Sequence, residues 1–334
     1  MKIRIGIMGL GRIGRNVFRM LYPRDDIEVM AAVDIADPVA LVYLLNFDTI
    51  HRRFYATIGI DGNIMDVRGK KIPILPLKAP GDVDWKALGV DIVIEATGKY
   101  KTRELLQKHL QMGAKRVILT SPPQGEVDAQ LVLGVNDHLL NADSRIVSAS
   151  SIAANAMAPI CKILNDSFGI KHGFMTAVHA YTDDQRLADV AHAEIRKSRA
   201  AAENIIPAEL WSPRIVETIL PELSGKLDGM AYCVPVPDGT AVDMVTMMSR
   251  PVTKEGINEA VRAASEKHMK NIVEYTDQPI VSSDVIGNSH SALFDSLSTQ
   301  VLNGDMLKTI TWFDNGWGYA ARIVDLICRL SELK

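Results

Sequence analysis

Gly9-Leu10-Gly11-Arg12-Ile13-Gly14 spells a G-x-G-x-x-G turn, and Asp34 follows about 20 residues after its last glycine. Backbone N–H groups in such a turn meet a pyrophosphate at a helix N-terminus, and an acid at that distance accepts from both hydroxyls of an adenosine ribose. The charge of Asp34 would repel a 2′-phosphate, so the pair points to NAD rather than NADP. A second candidate is His179, in Val178-His179-Ala180-Tyr181-Thr182, because histidine is the side chain best placed to move protons near neutral pH. A third stretch, Val147 to Pro159, reads VSASSIAANAMAP and carries serines but no thiol. Any nucleophile there would be a hydroxyl, which needs an adjacent base.

These residues need a strand, turn and helix to hold them. Ile3 to Met8 is an apolar run ending at the glycines, a helical pattern runs from Arg12 until Pro23, and a second run, Ile27 to Val33, ends on Asp34. The result is a complete βαβ unit. Phe54 to Val67 alternates and turns at Asp61-Gly62-Asn63, a hairpin signal. Asp91 to Gly98 and Lys115 to Pro122 read as buried strands of a parallel sheet, separated by a helix from Thr102 to Met112 that Gly113 stops. A helix is expected after Asn155, running to Phe168-Gly169. Longer alternating strands follow over His172 to Tyr181, Asp228 to Val236, Thr240 to Ser249, and Leu297 to Asp314 with a turn near Asn303-Gly304. The expected fold class is α/β: a Rossmann-like dinucleotide-binding domain over 1–151, and an α+β catalytic domain with a mostly antiparallel sheet over 152–314. A C-terminal helix within 315–334 would pack its stripe of Ile323, Val324, Ile327, Cys328 and Leu330 back on the first domain.

The chain of 334 residues is long enough for two domains, and 47% hydrophobic with 23% charged residues is an ordinary globular composition. Its 37 basic and 40 acidic residues are intermixed, with a net charge of −3, which argues against nucleic acid as a partner. No charged lead with an apolar core opens the sequence, so the expectation is a cytoplasmic protein with no membrane partner and a small-molecule substrate. Cys161, Cys233 and Cys328 are far apart, fit neither a metal site nor a redox pair, and are read as buried free thiols; no metal is expected.

Longer words carry a resemblance. Ile5 to Arg15, Glu95-Ala96-Thr97-Gly98, Gly134-Val135-Asn136, His179-Ala180-Tyr181-Thr182, Arg199 to Pro207 and Trp312 to Tyr319 resemble phosphorylating glyceraldehyde-3-phosphate dehydrogenases from one terminus to the other. The resemblance implies an NAD site built from Gly9, Gly11, Arg12, Ile13, Gly14 and Asp34, with Thr97 and Gly98 beside the adenine half and Asn315 holding the nicotinamide amide. It implies His179 as the acid–base residue. It also implies a homotetramer, with the loop from Asp183 to Ala202 reaching a neighbouring subunit.

The departures from the family cluster on the substrate side. Where the family reads Ser-Asn-Ala-Ser-Cys-Thr-Thr-Asn, this chain reads Ser148-Ala149-Ser150-Ser151-Ile152-Ala153-Ala154-Asn155, so the catalytic cysteine position is Ile152. The family's phosphate-binding Pro-Thr-Ser-Thr-Gly becomes Pro207-Ala208-Glu209-Leu210-Trp211. The arginine that anchors the substrate's own phosphate becomes Cys233, leaving Thr182 alone at that site. The expected substrate pocket is thus Ser151, Ile152, Thr182, Glu209, Trp211 and Cys233, with Arg214 or Arg186 as new anchors. The reading is an NAD-dependent dehydrogenase or reductase moving hydride between an alcohol and a carbonyl without a thioester, direct oxidation of a hydrated aldehyde being a variant. The other reading is an NAD-binding pseudoenzyme with a regulatory or partner-binding role. A third keeps the family reaction with Ser150 or Ser151 as nucleophile.

Overall fold

The computed structural model describes residues 2–76 and 79–333; Met1 and Lys334, at the outer ends of the expected domains, lie outside the described residues. Two compact units form, the first from Met1–Leu131, Asp137–Ser151 and Ala320–Lys334, the second from Val132–Asn136 and Ile152–Tyr319.

In the first unit the strands are β1 (Ile3–Met8), β2 (Ile27–Asp34), β3 (Ile58–Asp61), β4 (Ile64–Val67), β5 (Lys70–Pro76), β6 (Ile92–Glu95), β7 (Arg116–Leu119), β8 (Ala129–Gln130) and β9 (Ile146–Ser148). Among the described residues they form one sheet in the order β3-β4-β5-β2-β1-β6-β7-β9-β8, parallel from β5 to β8, with the hairpin at one edge. Parallel strands buried on both faces need continuous apolar runs, and Ile92, Val93 and Ile94 or Val117, Ile118 and Leu119 supply them. Helix α1 (Arg12–Leu21) follows the glycine turn and stops before Pro23. Helix α2 (Pro38–Asn46) escaped the hydrophobic pattern, yet its start is written locally. The Asp37 carboxylate accepts from Val39 N at 2.8 Å and Ala40 N at 3.3 Å, and proline opens the first turn. Helix α3 (Arg103–Gln111) lies between β6 and β7.

Asp91, just before β6, ties three strands. It accepts from Arg4 Nε at 2.9 Å and pairs with Lys115 Nζ at 2.8 Å. Burial pushes its carboxyl up, but the hydrogen bonds from Arg4 and Lys115 outweigh this and hold it at about 2, below the ordinary 3.8. A depressed carboxylate contributes stability that is present above the unfolded value and lost as pH falls through the folded one. Asp91→Asn should therefore lower the urea midpoint at pH 7, and the gap from the native chain should close between pH 4 and pH 2. A gap independent of pH would overturn this assignment.

The second unit opens with α4 (Ile152–Phe168), then β10 (Ile170–Ala180), β11 (Ile206–Glu209), α5 (Ser212–Ile219), β12 (Leu227–Val234), β13 (Thr240–Met248), α6 (Lys254–Glu266), β14 (Val273–Thr276), β15 (Ala292–Leu302) and β16 (Met306–Phe313). Its sheet runs β11-β12-β10-β13-β16-β15-β14 among the described residues. Most pairs are antiparallel, but β10 with β12 and β14 with β15 are parallel. The chain from Tyr181 to Lys226, with β11 and α5 inside it, is long enough to make the crossover that a parallel pair needs. Helices α4, α5 and α6 cover one face, where Ala177, Ala231 and Met244 are buried, while Phe174 and Met230 stand exposed on the other.

Helix α4 begins at Ile152, earlier than the expected start after Asn155, and it carries Pro159 in its interior. An internal proline removes one ladder bond and costs about 3 kcal/mol. Residues Ala153, Ala154, Ala156 and Ala158 are strong helix formers, and all are buried against the core, which offsets that loss. The last helix, α7 (Trp317–Glu332), belongs to the first unit from Ala320 onward. Arg116 fastens its end by donating to Leu330 O and, at 3.0 Å, to Leu333 O. Among the described residues no helix is long and apolar enough to cross a membrane.

Candidate cofactor and active sites

In the first unit the glycine turn is shaped by close approaches. Gly9 has φ +99, and a Cβ there would lie 2.7 Å from Ala96 C and Thr97 N. A Cβ on Gly14 would sit 1.9 Å from Gly9 O, whereas one on Gly11 would meet nothing within 4 Å. The turn is thus closed beneath and open above. Arg12 and Ile13 start α1, whose first turn holds no acidic residue, so its free N–H groups and positive dipole end face no competing carboxylate of their own. Asp34, at the end of β2, accepts from Leu10 N at 2.6 Å through Oδ2 and from Ala36 N at 3.0 Å through Oδ1. These bonds set the acid against the glycine turn.

Thr97 and Gly98 follow β6. The Glu95 carboxyl receives Thr97 N at 2.9 Å, and Gly98 is exposed with φ +68. Ser151 is the last residue before α4. Ser150, one earlier, is fully buried with φ +62, and its Oγ accepts from Gln130 Nε2 at 3.2 Å.

In the second unit Asn315 is 5% exposed and its Oδ1 accepts from Thr240 Oγ1 at 2.6 Å. Its backbone N–H donates to Asp238 Oδ1 at 2.8 Å, but its amide Nδ2 is buried without a hydrogen-bond partner among the described residues. An orphaned buried donor costs about 1–3 kcal/mol, which a ligand acceptor would relieve.

His179 lies near the end of β10, and its Nδ1 is 2.6 Å from Ala180 O. A carbonyl only accepts, so Nδ1 carries the hydrogen and Nε2 is the nitrogen whose proton can change hands. Parallel pairing puts His179 in register with Cys233 on β12, and Cys233 with Ile206 on β11, so all three share the helix-covered face. Ile152 packs on the apolar core of this unit. Thr182 donates its hydroxyl to Asp184, whose Oδ2 holds Lys197 Nζ at 2.7 Å, and Lys197 also reaches Glu194 at 2.9 Å. Burial would raise Asp184, but the bonds from Lys197 and Thr182 win and hold it low. Burial, with the charge of Asp184 second, pushes the Cys233 thiol up. Burial lifts Cys161 to about 12 and also raises Cys328.

The expected pocket divides by strand parity. Glu209 is in register with Met230, one step out of phase with the row of Ile206, Cys233 and His179, so it projects on the opposite, open face. Leu210 turns inward over Gly229, and Trp211 is 59% exposed beneath the Arg214 guanidinium at 5.2 Å. Glu209, Trp211 and Arg214 line a separate cleft of about 740 Å³ with Arg196, Asp228 and Met230. Arg186 is exposed; its guanidinium donates to Ala191 O at 3.5 Å and its own carbonyl accepts from Ala201 N at 2.8 Å. The structure therefore does not join Glu209 and Trp211 to His179 and Cys233.

Residues 3–103 match the model described as glyceraldehyde 3-phosphate dehydrogenase, NAD binding domain, and residues 151–315 match its C-terminal domain. The glyceraldehyde-3-phosphate dehydrogenase of Geobacillus stearothermophilus is 43% identical over 333 residues, covering 99% of each chain. That of Streptomyces coelicolor is 45% identical over 329 residues, covering 98% of each. The chain belongs to the glyceraldehyde-3-phosphate dehydrogenase family. It is an NAD-dependent oxidoreductase of that family, with a Rossmann-type NAD-binding domain and a catalytic sheet domain.

The residues present fit NAD. Within the first unit, the open space over Gly11 and the first-turn amides of α1 are features that the pyrophosphate of a dinucleotide would use. Sequence reasoning missed the groups behind these positions. Asp238 and Thr240 orient Asn315, and Asp314 accepts from Gly316 N at 2.7 Å and Trp317 N at 2.5 Å to start α7. The turn word Pro237-Asp238-Gly239-Thr240 and the Asp314-Asn315-Gly316 cap were the available signals.

Proposed function

We propose that this family member moves hydride between an alcohol and a carbonyl substrate without a covalent acyl-enzyme. The observation that carries the reading is the absence of an activated thiol: Ile152 stands where the family has its cysteine, and burial raises Cys161, Cys233 and Cys328 alike. The thiolate is the nucleophile, so a thiol held above its ordinary value is a poor one. Bound NAD supplies a hydride acceptor in one direction and a donor in the other. Asn315 would hold the carboxamide through its buried donor, and Asp34 the ribose. His179 Nε2 would take the hydroxyl proton as the alcohol is oxidised and return it as the carbonyl is reduced, with Nδ1–H fixed on Ala180 O.

Cys233, where the resemblance places an arginine, offers no cation to a phosphate anchored in the usual way, and the nearby Asp184 carboxylate is already held by Lys197. That supports a substrate held by other means, with Thr182 and Cys233 beside His179. The serine reading is weaker, because Ser150 is fully buried and its oxygen is engaged by Gln130. The relatives are named glyceraldehyde-3-phosphate dehydrogenases, and that reaction needs the thioester this chain has no placed thiolate to form. A homotetramer is part of the reading, supported by Leu187 and Ile195, which stand 89% and 86% exposed on the long loop.

The test follows NADH absorbance across phosphorylated and unphosphorylated aldehydes, ketones and alcohols, with calorimetric NAD binding and intact-mass spectrometry after glyceraldehyde 3-phosphate and NAD. Turnover with no mass increment is the expected result. An adduct on residues 148–155 or on Cys233 would overturn it. Tight NAD binding without turnover on any substrate would favour the pseudoenzyme.

A further inference from the structure

Behind Thr97 in the first unit lies a chain of polar groups that the hydride chemistry does not use. Trp85, His109 and Glu95 are each 0% exposed. Trp85 Nε1 donates to His109 Nδ1 at 3.0 Å, His109 Nε2 is 3.2 Å from Glu95 Oε2, and Glu95 Oε1 accepts from both Thr97 N, at 2.9 Å, and Thr97 Oγ1. Thr97 Oγ1 in turn accepts from Lys99 N at 3.1 Å.

The direction of every link follows from one end. An indole N–H can only donate, so His109 Nδ1 is an acceptor and the ring hydrogen is on Nε2. Nε2–H then donates to Glu95, which leaves Glu95 an acceptor at both oxygens. Thr97 must spend its amide and its hydroxyl hydrogen on that carboxyl. The Thr97 peptide lies against the point where a Gly9 Cβ would sit, and the Trp85 ring fills the place of a Gly6 Cβ, 2.6 Å away. The same buried side chains thus back both the glycine turn and the loop after β6.

We infer that Trp85, His109 and Glu95 form a polarised relay of positioning residues that fixes the Thr97 peptide against the glycine turn. It presents the Thr97 hydroxyl to the adenosine half of NAD as an acceptor, so the cofactor group that meets it is a hydroxyl or amine donor. This rests on the placement of Thr97 beside the adenine half.

Glu95→Gln tests the polarity. A glutamine keeps the acceptor for Thr97 but offers N–H₂ to His109 Nε2, which drives the ring hydrogen to Nδ1, against the indole N–H. Two buried donors then face each other. Calorimetry with ADP-ribose should show Glu95→Gln weakening affinity ~10-fold in the native chain and hardly at all in the Trp85→Phe background, where the opposing donor is gone. The imidazole ¹⁵N shifts of His109 should report Nε2–H in the native protein and Nδ1–H in Glu95→Gln/Trp85→Phe. Hydrogen exchange at the Thr97 amide should quicken in Glu95→Gln and slow again in the double variant. Equal effects of Glu95→Gln in both backgrounds, or an Nδ1–H imidazole in the native chain, would overturn the relay. Failure of the native chain to bind ADP-ribose would instead defeat the cofactor placement, and the imidazole and amide measurements would still decide the relay.

Discussion

His179→Ala should lower kcat on the substrate found in the NADH screen by ~10²–10⁴-fold while leaving NAD affinity unchanged. The magnitude is that of a positioned general acid or base. The selectivity follows from the strand: His179 Nδ1 is tied to Ala180 O at 2.6 Å and its ring shares a face with Cys233, so its removal alters proton transfer more than cofactor holding. His179→Asn separates the two roles, because its amide keeps a donor for Ala180 O without offering a titratable nitrogen. Stopped-flow hydride transfer and steady-state kinetics would read both variants. A variant with native turnover would remove His179 from the chemistry and favour direct hydride exchange without side-chain acid–base help. Lost NAD binding in His179→Ala would instead make it a structural residue.

Gly14→Ala should both destabilise the first unit and weaken NAD binding at least tenfold. Its φ is ordinary for a helix, so the reason is space: the new Cβ would lie 1.9 Å from Gly9 O, and that carbonyl belongs to a turn whose Gly9 is itself packed on Ala96 and Thr97. Overpacking of this kind costs about 1–3 kcal/mol. Gly11→Ala is the matched control, since its Cβ meets no atom of the described residues within 4 Å. It should leave the melting temperature unchanged and weaken only NAD, by filling the opening where backbone must approach pyrophosphate. Thermal unfolding and calorimetry on the two variants distinguish a structural glycine from a contact glycine. Native NAD affinity in Gly11→Ala would mean that the pyrophosphate lies elsewhere.

Much of the cofactor side was legible because it is local. A strand, a glycine turn, a helix and an acid at the end of the next strand are consecutive in the chain, and turn chemistry and hydrophobic period report consecutive residues well. The helix was expected only after Asn155, but α4 begins at Ile152, where the buried alanines carry it. The relay behind Thr97 was not legible, because Trp85 in a turn, Glu95 on β6 and His109 on α3 are distant in sequence and meet only when those segments pack.

By itself the sequence determined the family and the βαβ frame, with an acid, Asp34, at the end of the second strand and an isoleucine, not a thiol, at position 152, all properties of residue identity at known spacing. Tertiary structure alone decided which of the expected substrate-side residues share a face. The parallel crossover from β10 to β12 sets Cys233 beside His179, while a one-residue phase difference on β11 turns Glu209 to the other face of the sheet. The reason is that side-chain direction in a sheet depends on register between strands distant in sequence, and register follows from the packing of the whole sheet.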